Sequence, residues 1–207
     1  MPEFTLSSIS EGKYNEKGST FSAIAIPVSS AAAIKNKLSE LKEQFPDASH
    51  ICYGYRIKEK GRLDEFSTDS GEPNGSAGQP ILNALKRNHL VNTVIFVIRY
   101  FGGNKLGIPG LIHTYGKVAE LALEKAVIKK WVQMERISFS YNYGLQKKVD
   151  AILQKFEVNI INADFGESIK MDIEVEVVKM DDLSQQLCEI SNGTINVKQG
   201  SLPANQI

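Results

Sequence analysis

Apolar residues in the first half of the chain switch between a spacing of two and a spacing of three to four, which predicts alternating strands and helices. Phe4, Leu6 and Ile9 form a weak strand pattern, and NEKG at 15–18 is a turn signal. Residues 20–28 (TFSAIAIPV) then read as the second strand of a hairpin. Ser29 or Ser30 caps a helix whose inward face is Ile34, Leu38, Leu41 and Phe45, and Pro46 ends it. Residues 49–57 form a third strand with Ile51, Tyr53 and Tyr55 on one face. The segment 58–78 reads as a long polar, glycine-rich loop, a kind that is usually functional or mobile. Ile81, Leu82 and Leu85 mark a short helix with Pro80 in its first turn. Residues 93–101 are apolar throughout, as in a central buried strand. The glycine loop GGNKLGIPG follows at 102–110, then a helix over about 111–130 with Leu111, Tyr115, Val118, Ala122 and Ala126 inward.

The second half repeats a simpler order. Ile137, Phe139 and Tyr141 alternate in a strand, and Leu145, Val149, Ile152, Leu153 and Phe156 line one helix face. Strands follow at 158–165 and around Met171, Ile173, Val175 and Val177, with Gly166 turning the chain between them. Asp181 or Asp182 caps a helix bearing Leu183, Leu187, Cys188 and Ile190, Gly193 closes it, and 194–198 is the last strand. The prediction is an α+β chain of two domains, 1–131 and 135–207, the second a ferredoxin-like βαββαβ. Its open sheet face is expected to carry Arg136, Ser138, Ser140, Asp172, Glu174 and Glu176. With no aromatics for base stacking and three carboxylates, that face points to protein packing rather than RNA.

Charge sharpens the division. The 207 residues have 24 basic and 24 acidic side chains, but 1–131 carries a net +4 and 132–207 a net −4. The amino-terminal decapeptide has neither the basic nor the apolar region of a signal peptide. The most apolar stretch, 94–98, is far short of the ~20 residues that span a bilayer. Cys52 and Cys188 are expected to be isolated, half-buried thiols in a reducing compartment. A cytoplasmic monomer or weak oligomer, with no membrane partner, metal or cofactor, is the expectation.

Candidate chemistry concentrates in the two glycine-rich loops. The first, 69–78, is DSGEPNGSAG; the second runs from Arg99 to Gly110. Each leads into a helix start, where free amides and the positive dipole end favour anions, and the second adds Arg99 and Lys105. The competing reading is that the glycines only permit tight turns and close packing. Neither loop has the GxxxxGKS/T or GxGxxG pattern. Asp64, Glu65, Asp69 and Glu72 offer either a divalent-cation or acid–base cluster, or merely a solvated face. Glu72 can cap a loop amide or pair with Arg99 or Lys105. His50 and His113 are candidate general bases, and His89 beside Asn88 reads as a helix-end residue.

The runs DASHICYGYRI (47–57), FSTDSGEPNGSAGQPIL (66–82) and IRYFGGNKLGIPGLIHTYG (98–116) resemble the IMPACT/YigZ family. The resemblance spans about 15–130 and implies an IMPACT-like first domain. Its implied fold is the β-α sandwich shared by a ribosomal-protein domain and domain IV of elongation factor G. The tail looks like the small carboxy-terminal domain of bacterial members. Matching positions include His50, Arg56, Asp69, Glu72, Gly75, Ala77, Gly78, Arg99, Tyr100, Gly102, Gly103, Lys105, Gly107 and Gly110; Ser76 and His113 complete the candidate anion- or nucleic-acid-binding set. Ile108-Pro109 replaces small residues, and His113 stands where arginine is frequent. The resemblance implies that eukaryotic members regulate translation with the help of an extra amino-terminal domain, which this chain is expected to lack. Three readings follow: a non-enzymatic translation-associated regulator binding RNA or the ribosome; an enzyme or sensor holding a phosphorylated small molecule between the loops; and a protein-docking module using the acidic sheet.

Overall fold

The computed structural model describes residues 2–59 and 61–200. The chain divides into two compact units, Met1–Trp131 and Val132–Ile207.

The first unit runs β1 (Phe4–Leu6), β2 (Ser10–Glu16), β3 (Ser19–Pro27), α1 (Ala31–Gln44), β4 (His50–Glu59), β5 (Arg62–Thr68), α2 (Gly78–Arg87), β6 (Thr93–Tyr100), α3 (Gly107–Glu124) and β7 (Ile128–Lys130). Five strands form an antiparallel sheet in the order β2-β3-β6-β4-β5. β6 lies at its centre with apolar layers on both faces. It therefore buries every residue from Thr93 to Arg99 and shows no alternation. On one face Phe21, Ala23, Cys52, Ile95 and Val97 pack against Ile81 and Leu85 of α2 and Leu111, Tyr115 and Val118 of α3. On the other, Ile51, Val94, Phe96 and Ile98 meet Ile34 and Leu41 of α1, whose first turn is capped by Ser30. Each large side chain fully buried this way contributes roughly 2 kcal/mol.

Several expectations are corrected here. The segment 58–78 is not all loop: β5 occupies Arg62–Thr68 and pairs with β4 in seven-residue register. Its charged side chains masked a strand whose cross-strand partners supply the packing. β1 is not part of the hairpin. It pairs with β7, a strand cut from the end of the expected helix 111–130. That helix begins four residues earlier, at Gly107, and stops at Glu124; β-branched Val127 and Ile128 then favour extension. The hairpin itself is β2–β3, turning through Lys17 and Gly18 at positive φ.

The second unit runs β8 (Met134–Tyr141), α4 (Gln146–Phe156), β9 (Asn159–Phe165), β10 (Ile169–Glu176), α5 (Met180–Ile190) and β11 (Lys198–Gln199). The sheet order is β11-β8-β10-β9, all antiparallel. Ile137, Phe139, Met171, Ile173 and Val175 form the inner face against Val149, Phe156, Leu183 and Leu187. The last strand is only Lys198–Gln199, because Ile195 is buried in a non-strand segment. Lys179 occupies the α5 cap position without a side-chain bond, and Asp181 and Asp182 fall in the first turn. The open face is less acidic than expected. Asp172 accepts from Arg136 and Ser138, and Lys179 donates to Glu176.

Candidate functional site

The two glycine-rich loops meet at one end of the first sheet. β4 and β6 pair so that His50 lies opposite Arg99. The first loop folds over this end and inserts Glu72 beside Arg99. Arg99 Nη1 donates to Glu72 Oε1 at 2.5 Å, and both side chains are at least 94% shielded from water. Tyr115 of α3 donates its hydroxyl to the same oxygen at 2.8 Å. The guanidinium lies over the rings of Phe21 and Phe101, 5.3 and 5.4 Å from their centroids. His50 Nδ1 donates to the Ser70 carbonyl at 3.0 Å, which sets the tautomer and leaves Nε2 4.0 Å from Glu72.

The loop amides are also occupied. Asp69 Oδ1 accepts from Ala77 and Gly78 at 2.9 and 2.8 Å, and Oδ2 from Gly75 at 2.8 Å. The chain's own carboxylate thus takes the seat at the α2 start that an outside anion would use. Burial alone would raise the Asp69 pKa, but the amides of Gly75, Gly78 and Ala77 outweigh it and hold the carboxyl below its usual range. Ser76 is buried and bonds to the Pro73 carbonyl.

Of the partners the sequence offers Glu72, the fold selects Arg99, whose charge is balanced inside the fold and so does not serve an outside anion. Lys105 differs, being exposed in the second loop. Gly102 has a steric role. A Cβ there would lie 1.9 Å from the Gly18 carbonyl carbon, so the hairpin turn and the second loop touch backbone to backbone. Gly103 is exposed at positive φ, while Gly107 and Gly110 belong to the first turn of α3. Arg56 is not brought to the site. It pairs with Thr93 at the far end of β4, roughly 20 Å from His50 by strand rise, and is held by Glu65 and the Leu90 carbonyl. His113 lies on the exposed side of α3.

The four carboxylates do not form one cluster. Asp64 accepts from Tyr55, Glu65 pairs with Arg56 and Lys86, and Asp69 and Glu72 act as described. Among the described residues no group of three or more His, Cys, Asp or Glu is arranged to hold a metal. Nor is Cys52 half-buried: it is fully enclosed, 3.0 Å from the Asp69 carbonyl and 3.4 Å from the Tyr115 hydroxyl, whereas Cys188 is exposed. Burial pushes the Cys52 thiol up to about 12, against the lowering effect of Tyr115, so it is no nucleophile near neutrality. Burial likewise raises Tyr115. From sequence Tyr115 reads as a core position and Cys52 as an isolated thiol; the structure brings them together in the layer between β4 and α3.

The turn at 100–105 is open to solvent. Tyr100 and Phe101 are 37% and 48% exposed, and Lys105 stands beyond them. Ser49 Oγ accepts from the Phe101 amide and Ser19 Oγ from the Gly102 amide, which brace the turn.

Such a chain is a two-unit mixed α/β protein, with a buried carboxylate–guanidinium strut joining two glycine-rich loops in its first unit. The family model described as the Impact N-terminal domain matches residues 17–123, and a domain of unknown function, DUF1949, matches 139–194. The IMPACT family member YvyE of Bacillus subtilis is 30% identical over 199 residues, covering 96% of this chain and 91% of that protein. YigZ of Escherichia coli is 25% identical over 182 residues, covering 87% and 89%. The chain belongs to the IMPACT family. A crystal structure of a hypothetical protein shares the fold at a TM-score of 0.68 and 23% identity, covering 95% of this chain and 97% of that one. Among the described residues no helix is long and apolar enough to cross a membrane.

Proposed function

We propose that this chain is a non-enzymatic, translation-associated binding protein whose first unit engages single-stranded RNA, ribosomal RNA foremost, through the turn at 100–105. The observation that carries this reading is the contrast within the site. The acidic groups Asp69 and Glu72 are bonded internally, while two part-exposed aromatic side chains and an exposed lysine stand on a braced turn. Exposed aromatics give stacking platforms that tolerate any base, and a lysine neutralises phosphate charge. The net +4 of residues 1–131 adds a weak long-range attraction. The link to translation comes from membership of the family and its eukaryotic regulators. A cytoplasmic monomer or weak oligomer belongs to the same reading.

The fold reading is of the same kind. The element order βαββαβ and the sheet order β11-β8-β10-β9 support a ferredoxin-like second unit. The elongation-factor domain IV type of the first unit rests on the family resemblance. The phosphorylated-metabolite reading has less support, since Asp69 fills the amide seat and Glu72 neutralises Arg99. The acidic-sheet docking reading is weakened by the bonds from Arg136 and Lys179.

Lysate fractionation on a sucrose gradient, with and without nuclease, tests the proposal. The protein is expected to travel with ribosomal particles and to leave those fractions after nuclease treatment. Persistence in the top fractions, or nuclease-resistant migration, would overturn it.

A further inference from the structure

A second surface of the first unit is open as well. α2 and α3 enclose a groove of about 490 Å³ on their solvent side. Pro80 and Gly116 form its floor, Ile112 one wall, and Arg87, His113 and Lys117 part of its rim. Ile112 is 44% exposed there, a large apolar side chain without cover.

Gly116 is informative because packing does not demand it. A Cβ at that position would meet only Pro80 Cβ at 3.8 Å, an ordinary van der Waals contact, and its φ is not positive. Glycine inside a helix costs about 1 kcal/mol relative to alanine. The fold thus carries a helix-weakening residue whose one geometric result is a deeper groove. The rim charge points the same way. Glu120, the groove's acidic residue, is committed on both oxygens, to Arg87 and to Asn88. Lys117 and His113 are exposed, and among the described residues no carboxylate pairs with either. Arg87 is offset by Glu120, so Lys117 leaves the rim one cation in excess beside an apolar floor.

We propose that the α2–α3 groove seats an acidic peptide segment of a partner protein, an apolar side chain lying on the Gly116–Pro80 floor against Ile112 and a carboxylate meeting Lys117. Apolar burial supplies the anchor, and charge complementarity sets register and excludes basic segments. This surface is separate from the turn at 100–105 and does not depend on the RNA reading.

The test uses two fluorescein-labelled peptides of equal length, one of Glu and Leu and one of Lys and Leu, in anisotropy titrations against the full chain. The Glu/Leu peptide is expected to bind at least about tenfold more tightly, a difference of ~1.4 kcal/mol. Lys117→Glu is expected to remove that preference. Gly116→Leu is expected to abolish binding, and Gly116→Ala to keep or raise the thermal midpoint, which separates groove blockage from misfolding. Equal affinity for the two peptides, no binding of the Glu/Leu peptide up to ~1 mM, or full binding by folded Gly116→Leu would overturn the proposal. So would competition of single-stranded RNA for the groove that Gly116→Leu relieves, since the groove would then be a nucleic-acid surface.

Discussion

Glu72 and Arg99, distant in sequence, form an ion pair almost fully shielded from water, and one carboxylate oxygen of Glu72 also accepts from Tyr115. The pair ties the first glycine-rich loop to the end of β6 and to α3. Removing one partner leaves a buried charge without a counter-charge, which costs about 3–5 kcal/mol. Glu72→Ala is therefore expected to lower unfolding free energy by that order in urea titrations. Replacing both residues by methionine is expected to recover much of the loss. A Glu72→Ala protein within about 1 kcal/mol of wild type would contradict the strut role.

Asp69 makes the start of α2 sensitive to acid. Its carboxyl is held below the ordinary value, so the folded state binds fewer protons than the unfolded chain. The stability it contributes is complete above the unfolded value of about 4 and is lost as pH falls through the folded value. Asp69→Asn is expected to be less stable than wild type by about 1–2 kcal/mol at pH 7, with the gap closing in strong acid. Denaturant titrations from neutral to acid pH check this; a gap that widened in acid would be the wrong sign.

The contact between Gly102 and Gly18 leaves no room for a methyl group, because the obstructing atoms are backbone. Gly102→Ala is expected to cost about 2 kcal/mol or more and to disturb amide signals in both the hairpin turn and the second loop. Unchanged spectra at Gly18 would show that the two turns are not coupled.

Thiol chemistry separates the cysteines. Cys188 is exposed and Cys52 enclosed, so a disulfide reagent is expected to titrate one thiol quickly in the native protein and the second only on unfolding. Two fast thiols would show that the core around Tyr115 opens readily.

Periodicity made much of this fold legible. The α1 face of Ile34, Leu38, Leu41 and Phe45, the continuous apolar run of β6 and the alternation of β10 all read directly from spacing, since burial on one face or two imposes those patterns. β5 is hidden in the sequence because its Asp64 and Glu65 are satisfied by cross-strand or neighbouring partners, which are not adjacent in sequence. For the glycine loops the sequence leaves Glu72 three partners, a loop amide, Arg99 or Lys105, and the fold selects Arg99. Their polarity was misjudged: which carboxylate fills which amide seat depends on the loop's three-dimensional path. Asp69 reaches amides six to nine residues onward, a relationship no local spacing rule reports.

The RNA proposal rests on the outward groups of the turn at 100–105. Its sharpest test is fluorescence anisotropy with a labelled single-stranded RNA across a salt series, comparing wild type with Phe101→Ala and Lys105→Ala. Loss of one stacking ring is expected to weaken binding by about 1–3 kcal/mol, and loss of Lys105 to reduce the salt slope by about 0.7. Wild-type affinity and slope in both folded variants, or no measurable RNA binding by wild type at low salt, would contradict it.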